Sequence, residues 1–226
     1  LTIADATSAC FAMELPWQKL DVVMFSFQKS LGGEAAHGVL IISPRTVARL
    51  NSYTPPWPVP KLFRLNAKDK MNASIFAAAT INTPSMLVIE DAIDALRWAQ
   101  SIGGLPALIQ RSQSSLDAVT KWVETSPFYD FLAEDPATIS NTGITLKITD
   151  PWFVALSDEE KAEVAAGLDK CLQAENVALD AASYRDAPPG IRIWAGPTVE
   201  ASDVILLLPW LDWAYLEVRR AKSAAL

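Results

Sequence analysis

Hydrophobic residues fall into short runs early in the chain and into long periodic stretches later. Leu1-Thr2-Ile3-Ala4, Val22-Val23-Met24-Phe25-Ser26-Phe27-Gln28-Lys29 and Gly38-Val39-Leu40-Ile41-Ile42 have strand length. Such near-continuous apolar runs suit strands covered on both faces. Pro44 starts a short helix over 45–50. Residues 51–72 read as irregular, with prolines at 55, 56, 58 and 60, and a structureless stretch of that length is often functional. Asn82-Thr83-Pro84 predicts the N-cap of an amphipathic helix running to about residue 101. Its apolar positions are Leu87, Ile89, Ala92, Ile93, Leu96 and Trp98, and Gly103-Gly104 ends it.

The second part has a different rhythm. Residues 106–124 are helical by period, with Leu108, Ile109, Leu116, Val119 and Val123 apolar. Residues 128–133 and Gly143–Ile148 read as strands, and Ser157 with Glu160 forms a capping box for a helix over Asp158–Ala174. Ile191-Arg192-Ile193-Trp194 alternates as a short strand, and residues 200–220 close the chain as a helix. The reading is α/β, with a boundary at 102/103 and a second unit, 103–226, in which helices cover one face of a small sheet.

Composition narrows the classes. The chain has 226 residues, half of them hydrophobic, enough to bury a core in each of two domains. A net charge of −7 argues against a nucleic-acid surface. Cys10 and Cys171 have neither metal-ligand nor disulfide-framework spacing, and one histidine, His37, cannot make a multi-histidine metal site. A cytoplasmic location is the simplest expectation, with no membrane partner: the apolar run at 204–211 is broken by Pro209. The chain opens on Leu1, in mid-strand, and is expected to be the C-terminal portion of a longer protein.

Three groups carry chemistry. Lys29 ends an apolar strand just before Gly32-Gly33, and Asp5 ends the preceding one. Ligands bind beyond the carboxyl ends of strands in open α/β sheets. A buried lysine there suits a Schiff base, and a carboxylate suits a pyridinium nitrogen. The plain alternative is a turn-capping aspartate and a snorkelling lysine. Asn82-Thr83-Pro84 doubles as an anion site at a helix start. Arg185 and Arg192 flank a stiff Pro188-Pro189-Gly190 loop, suited to bidentate capture of carboxylate or phosphate. Their plain alternative is pairing with a surface carboxylate such as Asp186 or Glu200. His37 reads as structural, and the tryptophans as core or interface residues.

Together these motifs resemble the phosphoserine aminotransferase family, in the class V, fold-type I group of pyridoxal-phosphate (PLP) enzymes. The resemblance runs in order over nearly the whole chain. It implies that residues 1–102 are the C-terminal part of a PLP-binding large domain with a mostly parallel sheet, including a linker helix. Residues 103–226 would be the small C-terminal α/β sandwich domain. Asp5-Ala6-Thr7-Ser8 resembles the aspartate segment facing the pyridine nitrogen, and Gln28-Lys29 the pair in which lysine bonds the cofactor and glutamine lies near its phosphate. Asn82-Thr83 would reach the cofactor phosphate of the partner subunit, which implies a homodimer with shared sites. Arg185 would hold the substrate phosphate and Arg192 its carboxylate. Tyr184 stands where the family has histidine, which bears on substrate choice.

The implied reaction converts 3-phosphohydroxypyruvate and glutamate to O-phosphoserine and 2-oxoglutarate, in serine biosynthesis. Two alternatives stay open: another class V transaminase of the serine- or alanine–glyoxylate type, and a non-catalytic fragment that retains the fold. The resemblance also implies roughly 150 further residues before Asp5, on the scale of another domain. Those residues would supply a phosphate-cradling loop and the aromatic that stacks on the pyridine ring. The 226 residues alone are expected to lack much of the cofactor pocket.

Overall fold

The computed structural model describes residues 1–67, 69–182, 184 and 186–224. Its contacts separate into two units, Leu1–Ile102 and Gly103–Leu226.

In the first unit, β1 (Ile3–Asp5) runs parallel to β2 (Val22–Ser26), and β3 (Gly38–Ile42) runs antiparallel to β2. The three-stranded sheet is therefore mixed. β2 ends three residues earlier than its apolar run suggests, because Phe27 to Lys29 leave the ladder for the glycine turn. Val23 and Phe25 point into a small core with Ala6 and Cys10, where Phe11 meets Phe25 edge-on at 5.6 Å. The opposite face leaves Ile3 and Met24 exposed.

Buried Asp21 ties this sheet together. Its carboxylate accepts from the Thr2 N–H at 2.8 Å and the Ser43 hydroxyl at 3.0 Å, and Arg45 approaches at 3.4 Å. Its carbonyl takes the Thr46 hydroxyl at 2.8 Å. One residue thus joins the start of β1 to the turn between β3 and α1 (Pro44–Ser52), whose N-cap is Ser43. The Thr2 bond above all holds the Asp21 carboxyl below the usual range.

Residues 51–72 carry more order than the sequence suggests. A 3-10 turn at Lys61–Phe63 leads to a two-residue hairpin, β4 (Asn66–Ala67) with β5 (Lys70–Met71). Side-chain amides fasten it: Asn66 donates to the Leu50 carbonyl and Asn51 accepts from the Met71 N–H, both at 2.8 Å. The next helix, α2 (Met86–Ser101), starts later than expected. Ser85, not Asn82 or Thr83, is its N-cap, since a residue before proline is held out of helical backbone. Its buried stripe also differs. Val88, Ala92 and Ala99 face inward at helical spacing, while Leu87 and Leu96 are exposed. Small alanines permit close approach, which a count of bulky residues overlooks.

The second unit follows the sequence pattern more closely. α3 (Leu105–Val123) leads to β6 (Tyr129–Phe131) and β7 (Gly143–Ile148). A short α4 (Pro151–Val154) precedes α5 (Asp158–Ala174), which has the full Ser157/Glu160 capping box. β8 (Gly190–Trp194) and α6 (Ala201–Ala224) complete it. The sheet order is β6-β7-β8, antiparallel throughout. Ile144, Leu146, Ile148, Ile191 and Ile193 project from one face into a core with Val119, Leu168, Leu172, Leu208 and Leu211. Buried Asp150 accepts from Tyr215 at 2.5 Å and from Arg219 at 2.7 Å, anchoring α6 to the start of α4. Burial, with Asp150 alongside, pushes the Tyr215 hydroxyl far up.

Gly190 is where β8 passes closest to β7: a Cβ there would lie 2.2 Å from the Leu146 carbonyl oxygen. Gly190→Ala should cost about 1–3 kcal/mol as the strands are forced apart, read as a lower midpoint in urea denaturation. An unchanged midpoint would show that β8 can shift freely. Asp21→Asn tests the other unit. A depressed folded-state pKa contributes stability above the unfolded value near 3.9, and that contribution is lost as pH falls through the folded value. The stability gap between wild type and Asp21→Asn should therefore be open at pH 7 and close below about pH 4. A gap independent of pH would contradict the assignment.

Candidate functional site

Because β1 and β2 are parallel neighbours, their carboxyl ends lie on one side of the sheet. Asp5 is the last residue of β1, opposite Met24, and the Ala6 N–H to Met24 carbonyl bond at 2.8 Å extends the ladder beyond it. After β2, Gly32 closes a turn by donating to the Lys29 carbonyl at 3.0 Å, and Gly33 donates to Phe27 at 2.9 Å. Gly32 has φ +67°, backbone that favours glycine. Lys29 is half-buried in this turn and Gln28 is exposed. Beside them, the Ser30 hydroxyl is buried with no hydrogen-bond partner among the described residues.

Asp5 is exposed, and its Oδ1 accepts from the Thr7 hydroxyl at 2.5 Å and the Thr7 N–H at 3.0 Å. Those bonds hold its carboxyl below the usual range, so it is ionised at neutral pH. Thr7 is a supporting residue whose role the sequence reading left unassigned. Asp-x-Thr is the signature of a side chain bonding the backbone two residues on.

β3 runs antiparallel, so its first residue, Gly38, lies opposite Ser26 at this same end. His37 just precedes it. Its carbonyl accepts from the Ser26 hydroxyl at 2.5 Å, and its Nε2 accepts from the Ser85 N–H at 3.1 Å. The second bond requires a neutral imidazole with its proton on Nδ1. It tethers the entry of α2 to the sheet end, three residues after exposed Asn82 and two after exposed Thr83. His37 thus joins the end of β2 to the entry of α2.

In the second unit, Arg192 points away from Ile191 and Ile193 as its alternation predicts. Its partner is neither Asp186 nor Glu200. Arg192 bonds the Asp180 carboxylate at 2.6 Å and lies 4.3 Å from the centre of the Tyr184 ring, whereas Glu200 pairs with Arg111. Asp180 reaches it because the Arg192 N–H donates to the Ala181 carbonyl at 2.8 Å. Arg185 lies outside the described residues. Among the described residues no acidic, cysteine or histidine cluster fits a metal ion, and no helix is long and apolar enough to cross a membrane.

No family model matches the chain. A phosphoserine aminotransferase from Methanosarcina barkeri is 52% identical over 215 residues, covering 95% of this chain. Over nearly its whole length the chain is thus similar in sequence to phosphoserine aminotransferases. It spans about half the length of the curated relatives it matches, 55% in the Methanosarcina barkeri case. Solved structures share the fold. A phosphoserine aminotransferase from Cytophaga hutchinsonii has a TM-score of 0.71 at 21% identity, over 94% of this chain and 55% of its own. A PLP-bound phosphoserine aminotransferase from Trichomonas vaginalis has a TM-score of 0.70 at 17% identity, over 93% and 53%. The α/β class is thus the fold shared with these solved aminotransferases.

Thr7→Val removes the side-chain donor to Asp5 and leaves the strands untouched. The Asp5 carboxyl should then titrate at a higher pH than in wild type, followed by carboxyl-carbon NMR. An unmoved titration would mean that Thr7 does not set the charge of Asp5.

Proposed function

We propose that the chain is the C-terminal portion of a PLP-dependent phosphoserine aminotransferase, acting in the cytoplasm as a homodimer with shared active sites. In this reading Leu1–Ile102 belongs to the cofactor-binding large domain and Gly103–Leu226 is the small domain. The observation that carries it is the joint placement of Asp5 at the carboxyl end of β1 and Lys29 in the turn just beyond the carboxyl end of parallel β2, in a chain so close in sequence to named phosphoserine aminotransferases.

The residues present fit the cofactor. Asp5 offers an ionised carboxylate whose hydrogen bonds among the described residues use only Oδ1, leaving Oδ2 for a ligand. Lys29 is half-buried at the turn, and the orphaned Ser30 hydroxyl adjoins it. When bound, PLP supplies an electron sink for the electrons released at the substrate Cα. Lys29 would hold the cofactor through Nζ and, once freed by the amino donor, carry the proton to and from Cα. Asp5 would keep the proton on the pyridine nitrogen. Gln28 and, from the partner subunit in this reading, Asn82 and Thr83 would bind the phosphate. Arg192 would hold a substrate carboxylate and Arg185 the phosphate of 3-phosphohydroxypyruvate, orienting the Cα–H bond. Glutamate is the proposed donor.

Incubation with PLP and borohydride, followed by peptide mass analysis, tests the site. One adduct on the peptide carrying Lys29, absent from Lys29→Ala, is the expected result in the full-length protein. Adducts scattered over surface lysines would overturn it. Tyr184 in place of the family's histidine favours testing substrate choice as well: a preference for serine over phosphoserine would move the chain to another class V transaminase.

A further inference from the structure

Arg192 is held in a way that a substrate-binding arginine need not be. Its side chain is only 14% exposed, and it stacks on the exposed Tyr184 ring at 4.3 Å, which covers one face of the guanidinium. Only the edges are left for an anion. The Nε–Nη2 edge is the side-on fork that takes a carboxylate through two parallel bonds. Here Nη2 is occupied by Asp180, through Oδ2 at 2.6 Å and the carbonyl at 3.3 Å, while Nε is buried with no partner among the described residues. The fork is therefore half filled by one carboxylate oxygen.

Asp180 is set there by the backbone. Its φ is +55°, a left-handed conformation rare outside glycine, asparagine and aspartate. Next to it, Ala181 is fixed on both sides: its N–H donates to Asp169 at 2.9 Å and its carbonyl accepts from the Arg192 N–H at 2.8 Å. The Asp180 side chain itself is 84% exposed, so leaving Arg192 would return its carboxylate to water at little cost. Asp180 and Arg192 also line one cleft of about 270 Å³, with Ala178, Leu207 and Leu211.

We propose that Asp180 is an internal stand-in for the substrate carboxylate, a gate that occupies Arg192 in the resting protein and is displaced when a carboxylate ligand takes the Nε–Nη2 fork. This rests on the reading of Arg192 as the carboxylate site. Asp180 then sets affinity and specificity. A ligand offering a single weak contact does not displace it, whereas a carboxylate able to satisfy Nε as well as Nη2 does.

The test is calorimetric titration of 2-oxoglutarate into the full-length, cofactor-loaded protein, with Asp180→Asn, Asp186→Asn and Arg192→Gln. Asparagine keeps the shape and tolerates the left-handed backbone, so the fold is retained. An ion pair with one well-exposed partner that must open before binding reduces apparent affinity by roughly two- to fivefold. Asp180→Asn should therefore bind about that much more tightly, with KM lowered and kcat unchanged. Asp186→Asn, which removes a charge without touching Arg192, should leave binding as it was. Equal tightening in both aspartate variants would overturn the gate in favour of general charge. Unchanged or weaker binding in Asp180→Asn, with binding abolished in Arg192→Gln, would overturn the gate alone and leave Arg192 as the carboxylate site. Full binding by Arg192→Gln would overturn both.

Discussion

The parallel pairing of Ile3–Asp5 with Val22–Met24 is the constraint on which the first unit depends. Two parallel neighbours must end on the same side, so Asp5 and the turn that carries Lys29 meet at one end of the sheet whatever the intervening residues do. The antiparallel third strand starts where the second finishes, which brings His37 and, through it, the entry of α2 to that end as well. Register matters as much as direction. A one-residue slip of β1 would exchange Asp5 for Ala4 or Ala6 and turn the carboxylate toward the small core behind the sheet. Asp21, bonded to the Thr2 N–H at the other end of the strand, opposes that slip.

The second unit holds its arginine by the same logic in a different sheet. Alternation along β8 sends Ile191 and Ile193 to the core and Arg192 to the opposite face. The missing side chain at Gly190 lets β8 enter close against the Leu146 carbonyl. Packing and chemistry are thus separated by one residue of strand, and the well-filled core fixes the arginine's starting point without contacting its head group.

What the sequence revealed was mostly periodic or local. The Ser157/Glu160 box, the β7 strand and the two-unit rhythm are short-range patterns and were legible as such. Asp5 could be placed at a strand end because its apolar run stops there, whereas Lys29 lies three residues past the end of β2, in a turn that its apolar run concealed. The start of α2 was misread because Asn82 and Thr83 are good capping residues in composition, while Pro84 moves the cap one residue past itself. Its buried face was legible only in part: Ala92 is buried as expected, but Val88 and Ala99 take the other inward positions while Leu87 and Leu96 are exposed. The partner of Arg192 was hidden for another reason. Asp180 lies 12 positions away and acts through a left-handed backbone angle that no local pattern announces. Asp186 and Glu200 were the obvious carboxylates only because they are near in sequence or on the next element. His37 shows the same limit, since its partner Ser85 is 48 positions on.

The first strand has one further consequence. Among the described residues β1 has a neighbour on one side only, and Ile3 on it is 66% exposed. A short apolar strand with an open row of backbone donors and acceptors is a template for whatever extended chain it meets. These residues on their own would be prone to self-association at that edge, and handling them in solution becomes a colloidal problem before it is an enzymatic one. A lysine at position 3 is the kind of guard that natural sheets place on such borders.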